Sequence, residues 1–351
     1  MKKFTDLKIA IVHDNFRYFG GAERVVEALY ELWPTASVYT STVSWSDLGV
    51  FSERVATLKP IISWAQHNPF FSHYPFLYRY LLPLIWRSFD FSKYDVVISS
   101  SYAQMSHLIK VTRATLHICY SHSPPRHLYG LQTDFPWEKL WFFRPVILML
   151  NQILRRMDYR AAQRVTWFVA NSKTVALRIE KIYKRPACVI FPPCIFSGPK
   201  KRQGRKRDGY FLVVSRLSRV KYIDLVIQAC NVLHAPLKVV GVGSQESALR
   251  RLAGSTVEFI GHVSDQAMER LYIGAKAVIC AAEDEDFGIV PVEAMSFGRP
   301  VIAYFSGGHT ETIIEGKTGV FFKRLTIASL RRAIIKLENL HIDPDDCVRQ
   351  A

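Results

Sequence analysis

The 351-residue chain has few cysteines, and none of them is arranged for a bridge or a metal. Cys119, Cys188, Cys194, Cys230, Cys280 and Cys347 form no CxxC pair and stand at no zinc-ligand spacing, so a disulfide framework and a zinc ribbon are both excluded. Most lie in apolar runs that read as strands, which implies buried, reduced thiols and a cytoplasmic setting. The ~18 to 20 consecutive apolar residues that a bilayer span needs are missing as well. The N-terminal "MKKFTDLKIAIVHD" starts basic, but its apolar run is short and follows Asp6 and Lys8. It reads as a first strand and not as a signal peptide. Acid is the scarcer charge, with 30 Asp+Glu against 46 Lys+Arg and a net charge of +16. That balance points to an anionic partner: nucleic acid, an acidic membrane surface or a phosphorylated small molecule.

What is present is a long alternation of strand and helix patterns. "KIAIVH" (8–13), "DVVIS" (95–99), "LHICY" (116–120), "WFVA" (167–170) and "CVIF" (188–191) read as buried strands, with helical spacing between them at 22–33 and 172–183. The rhythm restarts after residue 209 with "YFLVVS" (210–215), "LKVVG" (237–241), "VEFIG" (257–261), "AVICAA" (277–282) and "PVIAY" (300–304). Helical segments at 222–233, 264–274, 289–298 and 326–339 separate these. Such alternation predicts parallel sheets covered on both faces. Between the halves, "SGPKKRQGRKRDG" (197–209) carries six basic residues and nothing apolar, the composition of a solvated linker. The expected organisation is α/β: a Rossmann-like doubly wound domain over 1–196, a basic linker over 197–209 and a second such domain over 210–351. Ligands of doubly wound folds bind at the carboxyl ends of the strands, and here two such edges are expected to face a central cleft.

Two segments of the first half, 68–89 and 136–160, are dense in aromatics, leucines and scattered Arg/Lys. Prolines and arginines break both runs, so neither spans a bilayer. A basic, aromatic, amphipathic surface suits contact with a membrane or a lipid-linked ligand, and equally suits helices packed over the sheet.

The stretch "EDEDFGIVPVEAMSFGRPVIA" (283–303) gathers acid at a strand's carboxyl end and places Glu293 in an apolar helix. Pro291 suits a first helical turn. On physical grounds Glu293 then faces the positive helix terminus, either as a dipole partner or as an acceptor for sugar hydroxyls beside a phosphate site. Arg216 directly follows a strand and Lys221 lies where a helix starts, which puts two cations at a carboxyl edge; Arg219 could stand in for either. Gly20 and Gly21, in "VHDNFRYFGGAERVVEAL" (12–29), join a strand end to a helix without the GxGxxG pattern. His122, in "ICYSHSPPRHLYG" (118–130), sits at another strand's carboxyl edge in a proline-stiffened loop. Ser172 or Asn171 would cap the helix after 167–170, and Thr310 and Glu311 read as helix-start residues.

Taken together, "EDFGIVPVE" (285–293) within "DFGIVPVEAMSFGRPVIA" resembles the E-x7-E motif of glycosyltransferase family 4, retaining enzymes of the GT-B fold. "VVSRLSRVKYIDLVIQA" (213–229) and "SGGHTETIIEGKTGVFF" (306–322) resemble other landmarks of that family, in order, so that the resemblance covers nearly the whole chain. It implies a nucleotide-sugar site in which Glu285 contacts the transferred sugar, Glu293 holds the ribose, and Arg216 and Lys221 hold the diphosphate. Phe287, Gly288 and Ile289 match the motif positions between the glutamates. Gly20 and Gly21 match the loop whose backbone approaches the donor phosphate, and Val263 matches a position near the base. His122 matches the histidine of the "HxP" loop that lines the sugar pocket in bacterial mannosyltransferases, with Arg126 and His127 as acceptor contacts. The catalytic set is therefore His122, Glu285, Arg216 and Lys221. The implied reaction is hexosyl transfer from a nucleoside-diphosphate sugar, GDP-mannose by the wording of 291–304, to a polyprenyl-diphosphate-linked saccharide at the cytoplasmic membrane face. The resemblance implies neither a cofactor nor a metal. One departure is the ending "DPDDCVRQA", where members carry a further helix returning to the first domain. Rival readings are a UDP-sugar-dependent transferase, an epimerase or phosphorylase on the same architecture, and a non-catalytic nucleotide- or nucleic-acid-binding protein. No nucleic-acid motif supports the last.

Overall fold

The computed structural model describes residues 6–67, 75–133, 144–194, 196 and 209–351. It divides into two units, Met1–Pro193 and Cys194–Ala351. Residues 197–208 of the basic linker lie outside the described residues, as do 68–74 and 136–143 of the two aromatic segments.

The first unit is built on seven parallel strands: β1 (Ile9–His13), β2 (Ser37–Thr40), β3 (Ile61–Ile62), β4 (Val96–Ser101), β5 (Leu116–Ser121), β6 (Trp167–Ala170) and β7 (Ala187–Val189). Their order is β3-β2-β1-β4-β5-β6-β7. All five residues of β1 are buried, as a central strand covered on both faces requires. Alternate residues feed two cores. Ile9, Ile11 and Ile98 pack with Val26 of the helix Gly21–Leu32 on one face. Ala10, Val12 and Val97 pack with Trp86 and Leu154 on the other. Leu154 belongs to the helix Arg144–Ala162, which buries Ile147, Asn151, Leu154, Asp158 and Ala161. The opposite side of that helix exposes Val146, Met149 and Ile153, followed on the same helical face by exposed Arg156 and Arg160. Among the described residues no helix is long and apolar enough to cross a membrane.

The second unit is a six-stranded parallel sheet: β8 (Tyr210–Val214), β9 (Leu237–Val240), β10 (Val257–Gly261), β11 (Ala275–Cys280), β12 (Val301–Tyr304) and β13 (Gly319–Phe322), in the order β10-β9-β8-β11-β12-β13. Its core runs through Leu212, Val239, Val278, Ile302 and Val320, closed by Leu330 and Ile334 from the helix Ile327–Glu338.

The α/β expectation of two doubly wound domains holds, with local differences. β11 ends at Cys280 and not at Ala282, because it pairs with β12 only from Val278 to Cys280. β7 is a sheet edge with little of its surface covered, so Cys188 is exposed. Cys119, Cys230 and Cys347 are buried, and all six cysteines are free thiols. β2, β3 and β13 were not anticipated as strands: "SVYT" and "II" are too short to signal themselves, and "GVFF" follows directly on a turn. Of the two candidate caps, Ser172 is the one that accepts from Val175 N–H, at 3.0 Å.

One buried side chain organises the exit of β4. Asp14, fully buried just after β1, accepts backbone N–H groups from Tyr102 (3.0 Å), Gln104 (2.6 Å) and Ser106 (2.8 Å). An Asp14→Ala chain would leave three donors unpaired, one of them, on Ser106, buried and two half-buried. The expected cost is roughly 3–5 kcal/mol, read as a lower urea midpoint with little change in slope.

Candidate functional site

In each sheet the strand order reverses once. The reversal lies between β1 and β4 in the first unit and between β8 and β11 in the second. Crevices at the carboxyl ends of such strand pairs are where doubly wound folds take ligands. Both reversals carry polar groups that the hydrophobic cores do not use.

In the second unit, the polypeptide leaving β8 passes exposed Arg216 and makes a short helical turn, Arg219–Lys221. Tyr222 follows in the left-handed region (φ 49°) and opens the helix Ile223–Leu233. This geometry delivers Lys221 to the loop after β11. Its Nζ donates to Glu285 Oε2 at 2.6 Å, and both side chains are about a quarter exposed. Beside them the Tyr222 hydroxyl donates to Glu283 Oε2 at 3.3 Å. The acidic run thus receives a cation and a phenol.

The Glu285 loop is held from behind by two glycines. Gly308 N–H donates to Glu285 O at 2.8 Å. A β-carbon on Gly307 would lie 2.2 Å from Glu285 O, and one on Gly308 would lie 2.4 Å from Phe287 Cα. No side chain fits at either position. His309 follows them, buried and 3.2 Å from Tyr304 O through Nδ1. Burial holds its imidazole below the ordinary range, partly opposed by the Glu285 charge. Thr310 and Glu311 fall in the short helix His309–Thr312, as their sequence context suggested.

Phe287 is buried, and Gly288 (φ 82°) caps the helix Ile289–Ser296. Glu293 is the fifth residue of that helix, so the expectation that it lies in the first turn is corrected. The helix starts at Ile289, as its sequence pattern suggested, with the left-handed Gly288 as its cap, and Glu293 falls just beyond the first turn. Glu293 is buried and accepts from the Tyr272 hydroxyl at 2.8 Å. Tyr272 stacks on Phe297 at 5.5 Å and ends the helix Asp265–Gly274. Val263, half-buried against the same core, lies just before Ser264, whose side chain caps that helix.

In the first unit, β4 ends in three buried serines, and each meets a histidine. Ser99 Oγ lies 2.9 Å from His117 Nε2. Ser100 Oγ lies 2.9 Å from His122 Nε2 and 3.0 Å from His13 Nδ1. Ser101 Oγ lies 2.9 Å from His107 Nδ1. Two of these contacts run on to carboxylates. His13 Nε2 is 3.3 Å from Glu23 Oε1, and His107 Nε2 is 2.9 Å from Asp158 Oδ1. Because strand residues alternate faces, the first chain ties the helix Gly21–Leu32 to β4, and the second ties the helix Arg144–Ala162 to it from the other side. Gly20 N–H donates to Glu23 Oε2 at 2.8 Å, so in this structure that amide serves Glu23.

His122 therefore stands at the reversal point of the first sheet, in one network with the glycine loop. Burial, with His13 as a lesser contributor, lowers its pKa to about 3. His117 and His127 are lowered to about 3 by the same dominant cause. Arg126 and His127 belong to the turn Arg126–Leu128. His13, Glu23, Ser100 and Tyr272 were not singled out in the sequence. A histidine ending an all-apolar strand and a serine triplet in another were the available signals.

Comparison with known proteins identifies the second unit. Residues 198–351 match the family model described as "Glycosyl transferases group 1", so this stretch is a domain of that kind. Part of the chain is similar to the glycogen synthase of Pseudomonas paraeruginosa, 32% identical over 143 residues, which is 38% of this chain and 28% of that protein. Another match is the alpha-1,3/1,6-mannosyltransferase alg-2 of Neurospora crassa, 41% identical over 83 residues, covering 24% of this chain and 18% of the relative. The chain thus spans less than a third of either curated relative. Among solved structures, Anabaena Alr3699/HepE in complex with UDP and glucose aligns over 98% of both chains with a TM-score of 0.65 at 16% identity. Sucrose-phosphate synthase from Thermosynechococcus elongatus aligns over 98% of this chain and 92% of its own with a TM-score of 0.67, also at 16% identity. The fold is that of GT-B glycosyltransferases, with two Rossmann-like parallel-sheet domains.

Two outcomes are expected from this geometry. Gly308→Ala should displace the Glu285 loop and cost roughly 1–3 kcal/mol, read by thermal unfolding. The three buried histidines set a pH dependence. Their native values of about 3 lie below the ~6.5 of an unfolded chain, so the unfolded state binds protons first as acid is added. Stability should be full above pH ~6.5 and fall toward pH 3, by up to about 1.4 kcal/mol per pH unit for each histidine. Urea unfolding at pH 7 and 5.5 checks the sign, and His127→Gln should flatten the slope.

Proposed function

We propose that this chain is a retaining glycosyltransferase that moves a hexosyl unit from a nucleoside-diphosphate sugar to an acceptor hydroxyl. The observation that carries the reading is the Lys221–Glu285 contact, 2.6 Å long, at the strand-order reversal of a group 1 glycosyl transferase domain. Lys221 has three N–H donors and commits one to Glu285, which leaves two for phosphate oxygens. Arg216 adds a second cation at the same edge. The C–O bond between the anomeric carbon and the diphosphate breaks with its electron pair going to the phosphate oxygen. Lys221 and Arg216 neutralise that charge in place of a metal ion. The acceptor oxygen bonds to the same face of the sugar, and its proton passes to the leaving phosphate. Glu285 accepts from hydroxyls of the transferred sugar and Glu293 from the ribose, while Phe287, Gly288 and Ile289 shape the floor and Val263 meets the base.

In the first unit, His122 contacts a sugar hydroxyl and the Gly20–Gly21 backbone approaches the donor phosphates. Gly20 supports that role by a steric argument. Its φ of −137° suits any residue, and an added β-carbon would meet only Glu23 Oε2, at 3.6 Å. The missing β-carbon leaves open space beside the Gly20 backbone, into which a ligand could fit. GDP-mannose is the proposed donor, supported by the wording of 291–304 and by the mannosyltransferase match over 83 residues. The proposed acceptor is a polyprenyl-diphosphate-linked saccharide at the cytoplasmic membrane face. The apolar face of Val146, Met149 and Ile153, continued by Arg156 and Arg160, suits an anionic bilayer.

A thermal-shift series with GDP, UDP, ADP and their sugars at fixed salt tests the donor. Stabilisation by GDP and GDP-mannose alone is expected. A preference for UDP species would overturn mannose, and no response would overturn the donor site. Lys221→Ala and Glu285→Ala should each lower kcat by roughly 100-fold or more with unchanged far-UV circular dichroism, and EDTA should leave turnover unaltered. Gly20→Ala should keep the wild-type melting temperature but raise the KM for the donor.

A further inference from the structure

With His13 neutral, the buried chain from Gly20 to His122 admits one self-consistent direction of hydrogen bonding; an imidazolium at His13 would reverse the Ser100 and His122 contacts and place the His122 proton on Nδ1. A backbone N–H can only donate, so Gly20 donates to Glu23 Oε2. The Glu23 carboxylate has no proton to give, so its Oε1 accepts from His13 Nε2–H. A neutral His13 with its proton on Nε2 presents a lone pair at Nδ1, and Ser100 Oγ–H donates to it across 3.0 Å. With its only proton committed, Ser100 Oγ accepts from His122 Nε2–H across 2.9 Å. His122 then keeps a bare Nδ1, which makes no hydrogen bond among the described residues.

We propose that Glu23 and His13 are positioning residues which, acting through Ser100, hold His122 in the Nε2–H tautomer so that Nδ1 serves as an acceptor for a hydroxyl proton of the bound sugar. The assignment of a sugar to His122 rests on the function proposed above; the tautomer does not. The direction decides what the pocket selects. An Nδ1 lone pair takes a hydroxyl, whereas an Nδ1–H would favour a carbonyl or phosphate oxygen.

The neighbouring chain on the other face brings a helix to β4 without a second histidine. Ser101, His107 and Asp158 set the same three kinds of group against the helix Arg144–Ala162, and Asp158 accepts from the Tyr129 hydroxyl of the loop after β5 at 2.6 Å. Only the Glu23 chain continues from its serine to a histidine at the carboxyl edge. The His122 ring is further held by Tyr120 and Tyr102, with centroids at 5.1 and 6.5 Å. Its orientation is thus set by packing, and its proton by the chain.

Long-range 1H–15N correlation spectra of the full chain labelled with 15N-histidine test this, with His122→Asn assigning the His122 signals. The wild type should show His122 protonated at Nε2 and bare at Nδ1. Ser100→Thr, which keeps the hydroxyl, should preserve the pattern, while Ser100→Ala should mix the tautomers. Glu23→Gln should also mix them, since an amide can donate or accept. A proton on Nδ1 in the wild type, or an unchanged pattern in both Ser100→Ala and Glu23→Gln, would overturn the proposal. Should Glu23→Gln fail to fold, the Ser100 pair still decides. In transfer assays Ser100→Ala should lower kcat about tenfold, the effect of one lost hydrogen bond, with little change in donor KM and recovery in Ser100→Thr. Wild type with the expected tautomer but no transfer would sink the transferase reading and leave the proton assignment standing.

Discussion

Three consecutive buried hydroxyls at the end of β4 are the constraint around which the first unit is arranged. A strand presents neighbouring residues to opposite faces, so Ser100 and Ser101 anchor helices on both sides of one sheet. Buried serines and histidines are costly unless paired. Each of the three serines is paired with a histidine here, and the pairing helps fix helix position as well as satisfying the hydroxyls. Asp14 does the same for the backbone that leaves β4, gathering three amides on one carboxylate. The carboxyl edge at the reversal point is therefore rigid, and it is polar by construction.

The second unit reaches a comparable edge by different means. Its carboxylates are placed by backbone contact, since Gly307 and Gly308 let one loop lie directly against the loop carrying Glu285. Glu293 is set by a buried phenol from another helix. The first unit thus positions its groups through hydrogen-bonded side chains, the second through close approach of the main chain and one ion pair.

Much of this architecture could be read in the sequence, because buried parallel strands appear as uninterrupted apolar runs and nearly all such runs became strands. β3 and β13 were lost for lack of length or of a clear boundary. His122 and the acidic run stood out because each follows a strand, and Lys221 because a helix starts there, all of it local information; the resemblance to a family motif singled out Glu285 within that run. The partners were not legible. Tyr272 stands 21 residues from Glu293, and Ser100 stands 87 from His13, so only the fold brings them together. Glu293 was placed within the first turn on the strength of Pro291, although the helix start at residue 289, legible in the sequence, already makes it the fifth residue.

The Lys221–Glu285 pair has one more consequence, for behaviour in salt. A cation with a tethered carboxylate 2.6 Å away has little need of a dissolved counter-ion. In the proposed donor site, a phosphate reaching Lys221 would displace little dissolved anion from it, so that contact would lose little as ionic strength rises. Nucleic acids and other polyanions bind by exchanging their own condensed cations for lysines and arginines, and this lysine is already paired with a carboxylate. In a chain with a net charge of +16, the Glu285 carboxylate makes Lys221 one cation that contributes little to any general attraction for polyanions.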